Sequence, residues 1–116
     1  MKQDPTAMTL LFDYYGELLS DKQKTCFDLY YNQDYSLAEI AEEVGISRQG
    51  VHDSITRAES ALRAMEEKTG SIAREQRLQA ALDEISRCTA LLLDTEDKTV
   101  KQLAQRICDA AQSIKE

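Results

Sequence analysis

From Met8 to Ile114 the apolar residues of this chain return at steps of three and four. Steps of that size put side chains on one face of an α-helix, whereas a half-buried strand requires strict alternation. The chain therefore predicts an all-α protein, and the interruptions predict where each helix starts and stops. Asp4-Pro5 supplies an N-cap acceptor followed by a proline at the first helical position, where its missing N–H costs nothing. Met8, Leu11, Phe12, Tyr15 and Leu18/Leu19 mark the inner face of the helix that follows. Ser20-Asp21-Lys22-Gln23 reads as a capping box opening a second helix, with Cys26-Phe27 and Leu29-Tyr30 inward and Asn32-Gln33-Asp34 closing it.

A second box, Ser36-Leu37-Ala38-Glu39, opens a short third helix with Leu37, Ile40, Ala41 and Val44 apolar. Gly45 ends it, because glycine enters the left-handed region with little strain. Ser47 caps the fourth helix, which carries Val51, Ile55, Ala58, Leu62 and Met65 on one side, and Gly70-Ser71 is the next stop and start. Beyond it, Leu78, Ala81/Leu82, Ile85, Cys88/Thr89 and Leu92 make one stripe, and Val100, Leu103, Ile107, Ala110 and Ile114 another, either side of Asp94-Thr95-Glu96. Two such helices joined by a short polar turn favour an antiparallel hairpin. Their apolar surface exceeds what one hairpin covers, so they are expected to pack on the N-terminal domain, on a second subunit, or on both. The expected layout is a four-helix domain over residues 4–69 and a helical hairpin over 71–116 that serves oligomerisation.

The functional signal lies at residues 36–58. A short helix, a tight turn with a glycine and a second helix with a polar outer face form a helix-turn-helix. Ala41 is small where the two helices must touch, Gly45 falls four residues later, and Val51 packs back six residues after that. With Val51 and Ile55 inward, Ser47, Arg48, Gln49, His52, Asp53 and Thr56 face outward at the start of the second helix. Arg48 and Gln49 are of the types that pair with guanine and adenine edges in a major groove, and Ser47 stands at a helix N-terminus able to hold a phosphate. Arg57 and Arg63, farther along, suit either phosphate contact or plain solvation. Asp53 opposes tight binding unless it accepts from a cytosine amino group. Gly50 costs about 1 kcal/mol relative to alanine inside a helix, which fits either close approach of a partner backbone or simple tolerance.

Charge pulls the other way. The chain carries 14 Lys and Arg against 21 Asp and Glu, a net charge of −7, where nucleic-acid binders usually hold a positive surplus. Most of the surplus acid falls within the first 70 residues, and the last third is near balance. Any nucleic-acid contact must rest on a few placed residues.

Other chemistries find little support. Cys26, Cys88 and Cys108 are widely spaced with no C-x-x-C pair, so they read as reduced thiols packed like small apolar residues. His52 is the single histidine and has no metal-ligand cluster around it, so no metal site and no cofactor are expected. Tyr14, Tyr15, Tyr30, Tyr31 and Tyr35 tempt a base-stacking reading, but helical spacing puts Tyr15 and Tyr30 on apolar faces, which favours core packing. No nucleophile set, phosphate-binding glycine loop or carboxylate pair suggests an enzyme. The N-terminal residues lack a signal-like apolar run, and no stretch is long enough to span a bilayer, so the expected location is the cytoplasm, with no membrane contact.

The stretch from Leu19 through Val51, with its Tyr-Ser-Leu-Ala-Glu-Ile-Ala-Glu-Glu-Val-Gly-Ile-Ser-Arg-Gln core, resembles region 4 of the sigma-70 factors, the helix-turn-helix that reads a promoter element. More closely, Leu11-Phe-Asp-Tyr-Tyr, Leu29-Tyr-Tyr, Asp34 to Glu43 and Ile46 to Arg57 resemble the YlxM family of small bacterial proteins. The resemblance runs over about residues 8–68 and is weak beyond Gly70. It departs from the family pattern at Gly50 and His52, where alanine and an aromatic residue are usual. What it implies is a DNA-binding regulator acting in the signal recognition particle pathway. The leading expectation is a homodimer that touches duplex DNA through Ser47, Arg48, Gln49, His52, Asp53, Thr56 and Arg57. The rival is an adaptor that keeps the helix-turn-helix as a scaffold and contacts the signal recognition particle GTPase or its RNA.

Overall fold

The capping signals do most of the work of dividing the chain. In the computed structural model, which describes residues 2–115, Asp4 accepts from the amides of Thr6 and Ala7 at 3.1 and 3.4 Å and opens α1, Pro5–Tyr15. A single 3-10 turn, Gly16–Leu18, leads to Ser20, whose hydroxyl and the Gln23 side chain complete the expected box at the head of α2, Asp21–Tyr31. Ser36 and Glu39 do the same for α3, Leu37–Val44, and Ser47 caps α4, Arg48–Thr69. Gly70, at φ 62°, ends α4, and α5 runs Ser71–Leu93. The Asp97 carboxylate accepts from the amides of Thr99 and Val100, 2.9 and 3.2 Å away, and starts α6, Lys98–Lys115. The fold is all-α, with no strand among the described residues.

The backbone divides after Ile72 into two compact units. In the first, α1, α2 and α3 all pack on α4 and share one core. Met8, Cys26, Phe27, Ile40, Val51 and Leu62 are fully sealed within it. Phe27 stacks between Phe12 and Tyr31, with ring centroids 4.7 and 4.4 Å away. Burying a side chain of that size stabilises by roughly 1.5–3 kcal/mol.

The inner face of α2 differs from the expected one: Tyr31 goes in, 8% exposed, while Leu29 and Tyr30 are only partly covered. The reason is a polar partner. The Tyr31 hydroxyl donates to the buried carboxylate of Glu59 on α4, and accepts from the Gln3 amide at 3.1 Å. Tyr30 instead lies edge-on to Tyr31 beneath the Lys2 ammonium, 5.1 Å from the ring centroid. A second polar tie closes the far end of α4. There the Tyr15 hydroxyl donates to Glu66 at 2.5 Å and lies 2.7 Å from Thr69 Oγ1, and Glu66 also accepts the Ile72 amide at 3.0 Å.

In the second unit, Lys115 near the end of α6 reaches Asp83 on α5 at 3.5 Å, as an antiparallel hairpin requires. Leu82, Thr89, Ala104 and Ala111 take the buried positions. Thr89 spends its hydroxyl on the carbonyls of Ile85 and Ser86, at 2.9 and 3.1 Å, and so can turn inward. Its neighbour Cys88 is consequently exposed, which corrects the expectation that all three thiols pack like apolar residues; Cys26 does so, and Cys108 is half-buried. Leu78, Ile85, Leu92, Leu103, Ile107 and Ile114 remain between 37% and 57% exposed.

Candidate nucleic-acid interface

The turn between α3 and α4 is fixed by backbone geometry. Gly45 sits at φ 79°, and the amides of Gly45 and Ile46 both donate to the Ala41 carbonyl, at 2.9 and 3.2 Å. A residue with a side chain is strained at that φ even though a Cβ there would meet nothing within 4 Å. Ser47 then accepts the Gly50 amide at 2.9 Å, and Ile40, Val51 and Ile55, all buried, hold the two helices at their angle. Ala41 packs half-buried at the contact.

With α4 anchored through Val51, Ser54, Ile55 and Ala58, its opposite side is left to solvent. Ser47, Arg48, Gln49, His52, Asp53, Thr56 and Arg57 are all exposed, on one continuous outward face over the first turns of the helix. Two of them are engaged with a third. Gln49 Nε2 donates to Asp53 Oδ1 at 3.0 Å, and His52 Nδ1 lies 3.7 Å from the same oxygen. Asp53 therefore holds the two side chains flanking it, and a base edge approaching Gln49 must replace that bond. The Ser47 hydroxyl oxygen accepts the Gly50 amide, so an anion at this helix end would meet the amides of Arg48 and Gln49 and the proton of that hydroxyl. Gly50 is close-fitting: a Cβ there would stand 3.1 Å from Ser47 Oγ, so glycine spares the cap.

Two inward residues of α4 lay outside the expected apolar stripe. Ser54 and Glu59 are 6% and 4% exposed. Their positions carried the signal, since Ser54 follows Val51 by three residues and Glu59 follows Ile55 by four. Farther along the helix, Arg63 and Lys68 are exposed. The outer side of α3 is acidic, with Glu39, Glu42 and Glu43 all exposed, and its Glu39 carboxyl is held below the usual carboxylate range by the Ser36 amide and hydroxyl. Among the described residues there is no cluster of side chains able to hold a metal ion, and no helix long and apolar enough to cross a membrane.

Residues 2–79, covering all four helices of the first unit and the start of α5, match the model of a family described as "Putative helix-turn-helix protein, YlxM / p13 like". The chain belongs to this family, UPF0122. A UPF0122 protein of Thermoanaerobacter sp. is 44% identical over 112 residues, covering 92% of this chain and 96% of its own length. That of Acetivibrio thermocellus is 41% identical over 109 residues, with 90% and 93% covered. One from Caldanaerobacter subterraneus is 48% identical over 88 residues, covering 76% of this chain and 75% of its own. The family model ends at residue 79, in keeping with a resemblance that fades beyond Gly70. The first two alignments, however, leave too few residues uncovered to stop before α6, so some relatives align into the second unit.

Proposed function

We propose that α3, the Gly45 turn and α4 form a DNA-contacting module, with Ser47, Arg48, Gln49, His52, Asp53, Thr56 and Arg57 facing the major groove. One observation supports this above the others: these seven side chains are exposed together on the side of α4 opposite its buried stripe. Arg48, first in the helix, is the residue suited to a guanine edge, while Arg57 stands where a recognition helix meets the backbone. The protein then acts as a non-enzymatic regulator in the bacterial cytoplasm. It works as a homodimer joined through the exposed stripes of α5 and α6 in the hairpin of residues 71–116. Binding to fragments of the source genome tests the reading, with Arg48→Ala as the control; loss of a sequence preference in that variant is the expected result.

The acidic outer side of α3 favours a second reading. Glu42 and Glu43 are exposed on the helix that would cross the phosphate backbone, where carboxylates repel. In that reading the helix-turn-helix is a scaffold, and the protein is an adaptor for a component of the signal recognition particle, its GTPase or its RNA. Failure of every duplex to bind at low salt, together with co-purification of such a component, selects it.

A further inference from the structure

Along the flank of α4 that faces the first turn of α2 runs an open groove of about 260 Å³. Ser20, Lys22 and Gln23 line it from α2, and Asp53, Ser54 and Arg57 from α4. Ser54 is 6% exposed, and its Oγ has no hydrogen-bond partner. A helical serine ordinarily turns its hydroxyl back to a carbonyl of the preceding turn, and a buried hydroxyl left unpaired is destabilising. Here Ser54 instead forms part of the wall of a groove that Lys22 and Arg57 also line, and a turn about its Cα–Cβ bond would present the hydroxyl to a ligand there. The capping box of α2 takes up the Ser20 and Gln23 amides, which leaves those of Asp21 and Lys22 at the helix end for an outside acceptor.

The donors of this groove suit an oxyanion. Lys22 and Arg57 supply two positive charges against the single carboxylate of Asp53, whose Oδ1 already accepts from Gln49 at 3.0 Å. One net positive charge and a helix N-terminus match a singly charged phosphodiester better than a doubly charged free phosphate. We propose that this groove seats one phosphate group of a nucleic-acid backbone, held by Ser54 Oγ, the Arg57 guanidinium and the Lys22 ammonium. The proposal rests on the reading of α4 as the DNA-contacting helix and extends it. Asp53 and Arg57 belong both to the groove and to the outward face, so a strand seated here runs directly beside the base-reading side chains.

Ser54→Ala is the decisive variant, because removing an unpaired buried hydroxyl leaves the fold as stable or more so. Amide NMR spectra of the full chain are followed during titration with inorganic phosphate, with chloride at equal ionic strength as the reference, and then with a short duplex. The expected result is a saturable shift at Lys22, Gln23, Ser54 and Arg57 with both probes. Ser54→Ala should bind each about tenfold more weakly with an unreduced melting temperature, and Arg57→Ala should also weaken both. Absence of shifts at those amides with either probe overturns the proposal, as does undiminished affinity in Ser54→Ala. Phosphate bound here with no duplex bound overturns the backbone as the source and removes the DNA reading of α4 with it. A duplex that binds through Arg48, leaves these amides unmoved and binds Ser54→Ala equally well overturns the groove alone.

Discussion

At position 59 a carboxylate stands where the periodicity of α4 asks for an apolar residue, and its partner decides how α2 is turned. Tyr31 donates its hydroxyl to Glu59 inside the core, and burial first, then that hydrogen bond, pushes its pKa from 10.0 up to about 12. The folded state thus favours the neutral phenol. A group raised in this way contributes stability that is fully present below its unfolded pKa and lost as pH rises through the folded one. The free energy of unfolding should therefore fall between about pH 10 and 12, and tyrosinate absorbance should show a component titrating near pH 12 that Tyr31→Phe removes. At neutral pH the same variant leaves a buried carboxylate without its donor and should cost about 1–3 kcal/mol in denaturant unfolding. An unchanged midpoint in Tyr31→Phe would mean that Glu59 is satisfied elsewhere. That Glu59 faces inward can be read from its place on the α4 stripe, but that Tyr31 rather than Tyr30 meets it cannot. The two tyrosines are adjacent in the chain, and the choice depends on a helix 28 residues away.

Among the elements, the α3–α4 unit shows most plainly what local sequence can specify. Its ends are set by Ser36, Glu39, Gly45 and Ser47, each acting on amides or carbonyls within five residues of itself, and all four act as their types predict. Gly45→Ala isolates one of these effects. A Cβ at that position meets nothing within 4 Å, so the substitution creates no clash and the penalty is that of an L-residue held at φ 79°. Roughly 1–2 kcal/mol should be lost in thermal or denaturant unfolding, and Gly45→Asn should lose less. A Gly45→Ala protein as stable as the parent would show that the turn can relax out of the left-handed region. The outward face of α4 was legible by the same local logic, because fixing Val51 and Ile55 inward leaves Ser47, Arg48, Gln49, His52, Asp53, Thr56 and Arg57 outside. The groove beside it was not. It is built from the first turn of α2 and the flank of α4, and no spacing within either segment announces that Lys22 and Ser54 share it.

For the whole molecule the two governing quantities are exposed apolar area and charge. The half-exposed stripe of Leu78, Ile85, Leu92, Leu103, Ile107 and Ile114 recurs at helical spacing along both helices of the second unit, where a lone hairpin gains nothing from keeping it wet. If a second copy covers it, sedimentation should give a dimer at micromolar concentration, and Ile107→Glu should give a monomer of undiminished helix content. A monomeric parent would remove the dimer. Charge sets the last test. The chain carries −7 overall, and if α4 docks on a duplex, Arg48, Arg57, Arg63, Lys68 and Lys22, with the α4 N-terminus, are the positive groups that the first unit would bring to it. With a slope of about −0.9 per phosphate neutralised, three to four effective contacts give a log–log salt dependence of roughly −3 to −4 per subunit. That is shallow for a DNA binder, and the surrounding carboxylates weaken non-specific binding further, so discrimination must come from the few side chains that reach base edges. Arg48→Ala should then lose about 1–3 kcal/mol at the preferred site and relax the preference at one base pair. Arg57→Ala, a backbone contact, should weaken every sequence alike and make the slope shallower by about one. An adaptor that keeps the helix-turn-helix only as scaffold predicts no dependence on either arginine, so a pair of salt titrations on these two variants separates the readings.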